Sequence, residues 1–281
     1  MAVPPRLARW LVAPGWAGWL LVAMAIGAAA APWLAPHDPS AIDLAGALAP
    51  PSVHHWLGQD RLGRDLLSRL LFGARISLLV GMATVTVTAT VGAAVGLLAG
   101  WLGGWVDELL MRITDCFLAF PGILLAIAFT AATGPGIGHV ILALSIIGWV
   151  GYARLTRGQV LALRSTDFMA AATGLGLSLP RLLLRHLLPS VAAPLTVEAT
   201  FGFAYAILAE SSLSFLGLGT PPPTATWGGL LNGGRADLLV APHVTTFPGV
   251  AIFLTVVAAV HLGDRLRDHL DPRHEALAPH P

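Results

Sequence analysis

The sequence predicts an all-α integral membrane protein with six transmembrane helices and both termini in the cytoplasm. Two observations carry the class. Of 281 residues, 56% are hydrophobic and only 11% charged, with a mean hydropathy of +0.75. A soluble domain carries about a quarter charged residues, so a water-facing surface cannot be assembled from this inventory. Charge-free stretches then run over 10–37, 76–106, 116–153, 211–234 and 238–263. A helix rising about 1.5 Å per residue needs about 20 apolar residues to cross the hydrocarbon.

Each span has its own reason. The stretch 116–153 is too long for one crossing, and Gly134-Pro135-Gly136-Ile137-Gly138 divides it at a tight turn. The six helices fall near 14–34, 77–100, 110–132, 138–158, 191–216 and 247–264. Residues 85–91, Val-Thr-Val-Thr-Ala-Thr-Val, alternate like a strand. An open strand in lipid leaves backbone groups unpaired, so helix wins, with the hydroxyls bonding back to carbonyls of the preceding turn. Gly92, Gly96 and Gly100 then lie on one face at spacing four, which suits close helix packing; plain glycine abundance is the alternative. The first helix follows Arg6 and Arg9 like a signal peptide. Pro32 after Ala28–Ala31 spoils the cleavage site, which favours an uncleaved anchor.

Orientation follows from the sixteen basic residues, all of them Arg. With the N-terminus inside, eleven arginines face the cytoplasm and five (Arg61, Arg64, Arg69, Arg75 and Arg235) lie outside. Four of those five occupy one segment. Asp60 with Arg64 and Asp65 with Arg69 are acid-before-base pairs at helical spacing, and Leu62, Leu66, Leu70 and Gly73 form an apolar stripe. The segment 59–75 therefore reads as an amphipathic helix on the outer membrane surface. The chain divides into residues 1–75, the first helix plus this segment; 76–270, a five-helix core with a cytoplasmic loop at 159–190; and 271–281, a cytoplasmic tail.

The inventory also excludes functions. Without Lys there is no phosphate-gripping P-loop and no Schiff-base enzyme. The single Cys116 excludes an intrachain disulfide framework and a cysteine-built zinc site. His274-Glu275 lacks the second His of a zincin helix, and neither GxSxG nor GxGxxG occurs. A net charge of +1 gives no sign of a nucleic-acid partner. No catalytic residue, metal ligand or cofactor-binding residue is expected.

Polar residues inside the spans are functional candidates. Asp115 lies close to Arg112 and the cytoplasmic interface, which favours a structural pair or cap. Glu198 and Glu210 share the fifth helix, about 120° apart around its axis and about 18 Å apart along it, too far for one two-carboxylate site. Glu198 is the better candidate for a wet cavity. Glu210 is open between a structural or gating contact and a substrate contact. His243 and His261 share no helical spacing and read as packing residues rather than a route for metal ions.

In the loop at 159–190, Phe168, Ala172, Leu175 and Leu179 recur at helical spacing. Ser178 is placed to cap a second helix over 181–188, with Pro180 in its first turn and Pro189 at its end. Two short helices outside the bilayer suit a partner's groove, although spacing alone leaves an ordinary surface loop open.

Ala171-Ala172, Gly176 and Arg185-His186-Leu187-Leu188-Pro189 resemble the EAA signature of permease subunits in binding-protein-dependent ABC importers. More narrowly, the chain resembles the second-subunit type of the dipeptide/oligopeptide/nickel permease family. The matching blocks run from Trp56-Leu57-Gly58-Gln59-Asp60-Arg61-Leu62-Gly63-Arg64-Asp65 and Gly73-Ala74-Arg75-Ile76-Ser77-Leu78 to Ala209-Glu210-Ser211-Ser212-Leu213-Ser214-Phe215-Leu216-Gly217-Leu218-Gly219. They continue through Trp227-Gly228, Leu262-Gly263-Asp264 and Leu270-Asp271-Pro272. The resemblance implies a type I ABC importer permease, half of a pathway for peptides or similar small solutes. Its implied partners are a second permease subunit, two cytoplasmic P-loop ATPase subunits, an extracytoplasmic solute-binding protein and the lipid bilayer, and the chain itself binds no cofactor. It also implies that Phe168, Ala171, Ala172, Leu175, Gly176, Ser178, Leu179, Arg181, Arg185, His186 and Pro189 form the loop that couples to the ATPase. The chain departs from the pattern at Ala170, where a Glu is common, at Gly174 and at Ser190. Import of nickel or a nickel chelate, and an ion-coupled secondary transporter, are the alternative readings.

Overall fold

The computed structural model describes residues 15–270, so the tail at 271–281, with Arg6, Arg9 and Arg273, lies outside the described residues. Regular structure among the described residues is helical, with one isolated bridge between Gln59 and Asp65. The helices are α1 (Gly15–Ala29), α2 (Ala31–Leu34), α3 (Leu66–Leu102), α4 (Gly104–Leu118), α5 (Gly122–Thr133), α6 (Ile137–Arg164), α7 (Asp167–Gly174), α8 (Leu179–Phe215), α9 (Trp227–Gly234) and α10 (His243–Leu270). Four of these, α3, α6, α8 and α10, are long and apolar enough to cross a membrane. The pair α4 and α5 qualifies together as one broken span, and α1 is a shorter apolar helix.

The strand-like run at 85–91 is helical. Thr86 and Thr90 donate to the carbonyls of Met82 and Thr86 at 2.8 and 2.7 Å, so their hydroxyls are satisfied inside α3.

Three expectations are corrected. The segment 59–75 is not a separate surface helix. Residues 59–65 form a loop, and α3 starts at Leu66 and runs 37 residues without a break, so the division at 75/76 falls inside one helix. The reason lies in the side chains. Asp60 accepts from the backbone N–H groups of Leu62 and Arg64 (2.8 and 3.1 Å), which folds a turn instead of a helix. Gly58 and Gly63 sit at φ +82° and +70°, and an added Cβ at Gly63 would collide with the Asp43 carbonyl. Asp65 is the N-cap of α3, accepting from the Ser68 N–H at 2.8 Å. The Asp60–Arg64 pair forms at 2.8 Å, whereas Arg69 turns from Asp65 to Asp60 at 3.3 Å and donates to the Pro39 carbonyl at 3.0 Å.

The expected third span over 110–132 is two helices bent by 79° between Leu118 and Gly122. Pro121 occupies the N-cap of α5, where its missing N–H cannot continue α4. The expected helix over 181–188 does not stop at Pro189. The chain is helical from Leu179 to Phe215 because residues Leu183–Leu187 adopt a π turn, with the Leu188 N–H donating to the Leu183 carbonyl five residues back. Pro189 has no N–H to give, and the widened turn absorbs the missing bond.

Helix packing is organised in three clusters. Leu97, Val160, Met169, Leu182, Leu187 and Val191 join α3, α6, α7 and α8 at one end. Val80, Ala126, Val140, Leu144 and Leu213 join α3, α5, α6 and α8 further along. Ala28, Ala74, Ile207, Trp227 and Ile252 gather α1, α3, α8, α9 and α10. In lipid such contacts stabilise by close packing, because the tails are as apolar as the side chains. His261 stacks on Trp16 with centroids 5.0 Å apart, and Arg265 lies over Gly15, which fastens α1 to α10.

Candidate functional site

Gly92, Gly96 and Gly100 face α6. A Cβ at Gly92 would meet Tyr152 Cβ at 2.5 Å, one at Gly96 would meet Thr156 Cβ at 2.6 Å, and one at Gly100 would meet Val160 Cβ at 2.8 Å. The stripe lets the two backbones approach where a side chain would hold them apart.

On α7, Met169 and Ala172 are buried, whereas Phe168 and Leu175 are 55% and 80% exposed. Ala171 is exposed beside them. By spacing Phe168, Ala172 and Leu175 share one side of the helix, yet the small Ala172 is covered while the two larger side chains project into the open. Leu179 does not extend the stripe, because α7 ends before it. Its C-terminal N–H groups close back from Leu175 to Ala171 (3.1 Å) and from Gly176 to Thr173 (2.9 Å), with Gly176 at φ +70°. Nothing lies within 4 Å of an added Cβ at Gly176, so the backbone conformation, not crowding, requires the glycine.

Ser178 occupies the N-cap of α8 without a side-chain hydrogen bond, which corrects its expected capping role. Pro180 at the second helical position lacks one of the two N–H groups a cap would reach. Arg181, Arg185 and Pro189 are exposed, and the partly buried His186 ring packs at 5.8 Å from Phe168. The α7 end therefore presents exposed apolar side chains, with His186 packed on Phe168, on a helix anchored by the buried Met169.

Asp115 does not pair with Arg112. Arg112 bonds Glu108 at 3.1 Å, and Asp115 pairs with Arg154 of α6. Next to it, Arg157 grips Asp107 with two bonds of 2.5 and 2.6 Å. These pairs pin α4 to α6. They join residues 39 and 50 positions apart, which no local spacing reveals.

Glu198 and Glu210 occupy different settings on α8. Glu198 lines a cavity of about 420 Å³ with Thr84, Thr88, Tyr152 and Tyr205, and Leu118, Phe120 and Gly122 at the α4–α5 bend close the same cavity. The Tyr152 hydroxyl donates to the Glu198 backbone carbonyl at 3.4 Å, and the Glu198 carboxylate lies beside Gly151 of α6, where an added Cβ would be 3.7 Å from Oε1. Glu210 is buried at 2% exposure and accepts from Ser77 (3.0 Å), Ser214 (2.7 Å) and Ser211 (3.4 Å). Ser77 in turn accepts from the Trp227 N–H at 3.3 Å, so one carboxylate ties α8 to α3 and α9. The serines that bond Glu210 belong to α3 and α8. Tyr152, Thr84, Thr88 and Ser77 escape sequence reading because they come from other helices; Ser214, four residues from Glu210, was legible.

His243 packs its ring against Gly58 and His261 against Trp16, and neither lines the cavity. In the loop before α3, burial pushes the Asp65 carboxyl up, but hydrogen bonds from Ser68 and His55 and the nearby His37 outweigh it and hold the group below its ordinary value.

Residues 92–275 match the family of binding-protein-dependent transport system inner membrane components. The chain is 50% identical over 255 residues to the glutathione transport system permease protein GsiD of Shigella flexneri serotype 5b (strain 8401), covering 90% of this chain and 83% of that protein. It is 48% identical over the same length and coverage to GsiD of Escherichia coli O6:K15:H31 (strain 536 / UPEC). Its fold is similar to a chain of the MetNI methionine ABC transporter in an inward-facing conformation, at TM-score 0.51 and 20% identity, covering 69% of this chain and 95% of that one. The exposed α7 end, the helical membrane architecture and these matches converge: the chain belongs to the binding-protein-dependent transport system inner membrane components, and is a multi-pass permease of an ABC importer in the bacterial inner membrane.

Proposed function

We propose that the chain forms half of an import pathway for peptide-like solutes. It crosses the membrane six times, with both termini and α7 in the cytoplasm, and pairs with a second permease, two ATPase subunits and an extracytoplasmic solute-binding protein. It is not itself an enzyme. The arginine distribution supports the orientation, with eight of the described arginines assigned to the α7 side against five on the other. The α4–α5 pair counts as the third span and α1 as the first.

One observation carries the mechanism: α7 bears an exposed apolar face and leads, through residues 175–178, into α8, the 37-residue helix that carries Glu198 and Glu210. An ATPase that binds α7 differently in its two nucleotide states biases the tilt of α8, because only differential binding shifts a conformational equilibrium. The π turn at Leu183–Leu187 lies between α7 and Glu198 along the chain and is the irregular point of that lever. The coupling set is Phe168, Ala171, Leu175, Gly176, Arg181, Arg185 and His186 on the outside, held by Ala172 and Met169 within. Glu198 offers a carboxylate to the ammonium group of a passing peptide.

The name of the 50% identical relative, a glutathione transport permease, supports a small peptide over nickel. So does the placement of His243 and His261 outside the cavity. The test is uptake of labelled glutathione and of di- and tripeptides in proteoliposomes holding the full complex. Uptake that needs ATP and the binding protein supports the proposal. Uptake by this chain without an ATPase would transfer it to the ion-coupled class.

A further inference from the structure

Away from the cavity and from α7, the loop leading into α3 collects two imidazoles around one carboxylate. His55 Nδ1 lies 2.9 Å and His37 Nδ1 3.7 Å from the same oxygen, Asp65 Oδ1. One ligand atom from each of the three residues lies within 4.8 Å of the others. We propose that His37, His55 and Asp65 bind a divalent transition-metal ion of the zinc class.

The donor set suits that chemistry. Two imidazole nitrogens and one carboxylate oxygen are borderline ligands for zinc and its neighbours, whereas calcium and magnesium call for a cage of oxygens. Zinc bonds of about 2.0–2.1 Å place tetrahedral donors about 3.4 Å apart, between the 2.9 and 3.7 Å separations here. The two imidazole donors lie within 4.8 Å of each other, so closing on an ion calls for movement of the rings. The fourth position is open to water, because the His37 side chain is 40% exposed while Asp65 is 1% exposed.

The surroundings orient the carboxylate. Asp65 Oδ2 accepts from the Ser68 N–H and hydroxyl at 2.8 and 2.7 Å, which leaves Oδ1 directed at the imidazoles. The same Ser68 hydroxyl oxygen accepts from the His37 N–H at 3.1 Å, so one residue positions two of the ligands. The two rings are tilted against each other with centroids 4.5 Å apart and 31° between their planes, and both approach the same carboxylate oxygen. The nearby acid Asp60 is engaged by Arg64 and Arg69 and does not compete. A metal here staples residues 37–55 to the first turn of α3, on the face opposite α7. Sequence reading missed it because the ligands lie in a loop at irregular separations.

The experiment uses the full chain, purified in detergent with a histidine-free tag and stripped with a chelator. Zinc is titrated against a competing dye, and cobalt is loaded for its visible spectrum. The expected result is one zinc per chain with micromolar or tighter affinity, imidazole-ligated cobalt bands, and at least tenfold weaker zinc binding in His37→Gln and His55→Gln. His139→Gln, remote from the loop, binds as the wild type. Zinc binding unchanged in His37→Gln, or a wild-type chain that takes up less than about one-fifth of an equivalent, overturns the site. The cobalt spectrum of the wild type decides the matter even where a variant fails to fold: bands of aquated cobalt alone contradict it.

Discussion

Glu210 on α8 and Ser77 on α3, 133 residues apart in sequence, share a buried hydrogen bond of 3.0 Å, and Ser77 passes the connection on to the Trp227 backbone. A carboxylate in a membrane span must be satisfied internally, and here hydroxyls from two helices do so. Glu210→Ala leaves the Ser77, Ser211 and Ser214 hydroxyls without their acceptor, while the Trp227 N–H keeps Ser77 Oγ. The expected loss is about 2 kcal/mol, given about 0.6 kcal/mol for a typical hydrogen bond between membrane helices and more for a charged acceptor. Glu210→Gln, which keeps the shape and an acceptor, loses about half of that. Thermal unfolding of the detergent-purified chain measures both.

The glycine stripe on α3 gives a steeper test. Gly96→Ala places a methyl group 2.6 Å from Thr156 Cβ, so α3 and α6 must separate. A loss of about 1–3 kcal/mol is expected, as for overpacking elsewhere, and Gly96→Leu should abolish stable accumulation in the membrane. Gly104→Ala is the contrast within the same region: its added Cβ meets nothing within 4 Å, and only its φ of +55° penalises it. Protease resistance of the inserted chain ranks the three.

Gly176 separates backbone strain from docking. With φ at +70° and open space around it, Gly176→Ala strains the end of α7 by about 1–2 kcal/mol without disturbing the spans. The prediction is an unchanged melting temperature for the membrane core and a lower ratio of solute moved to ATP hydrolysed. Gly176→Asn, which tolerates the left-handed region better, should recover part of the coupling.

Glu198 should affect the pathway and little else. Glu198→Gln removes a charge from the cavity wall that Tyr152 and Thr88 share. If the carboxylate meets a peptide ammonium, uptake falls tenfold or more while ATP hydrolysis and the melting temperature stay near wild type. Equal uptake in Glu198→Gln would remove this residue from the pathway.

How much was legible in the sequence differs by the kind of interaction. Composition and charge-free intervals give a helical membrane chain directly, because crossing lipid constrains every residue of a span. The helical reading of the Val-Thr run rests on the same constraint. Non-local pairing was hidden. Asp60 and Asp65 look like two equivalent i, i+4 pairs with Arg64 and Arg69, yet one aspartate caps α3 and the other collects both arginines. Asp115 has an arginine three residues away and chooses one on another helix. Pro189 looks like a stop and is not, since a π turn accommodates it. Local rules placed the elements; partners from distant helices decided the roles.

The central claim is that the exposed face of α7 is where the ATPase docks, and Leu175, 80% exposed, is its most prominent apolar side chain. The direct measurement is a photo-crosslinking amino acid placed at 175 in the full complex in native membranes, with the adduct identified by mass spectrometry. Ala172, the buried neighbour, serves poorly for this purpose. The account predicts an adduct to a P-loop ATPase subunit whose yield changes on adding ATP. Adducts to lipid alone would contradict it, and adducts to the solute-binding protein would also reverse the orientation on which the proposed mechanism rests.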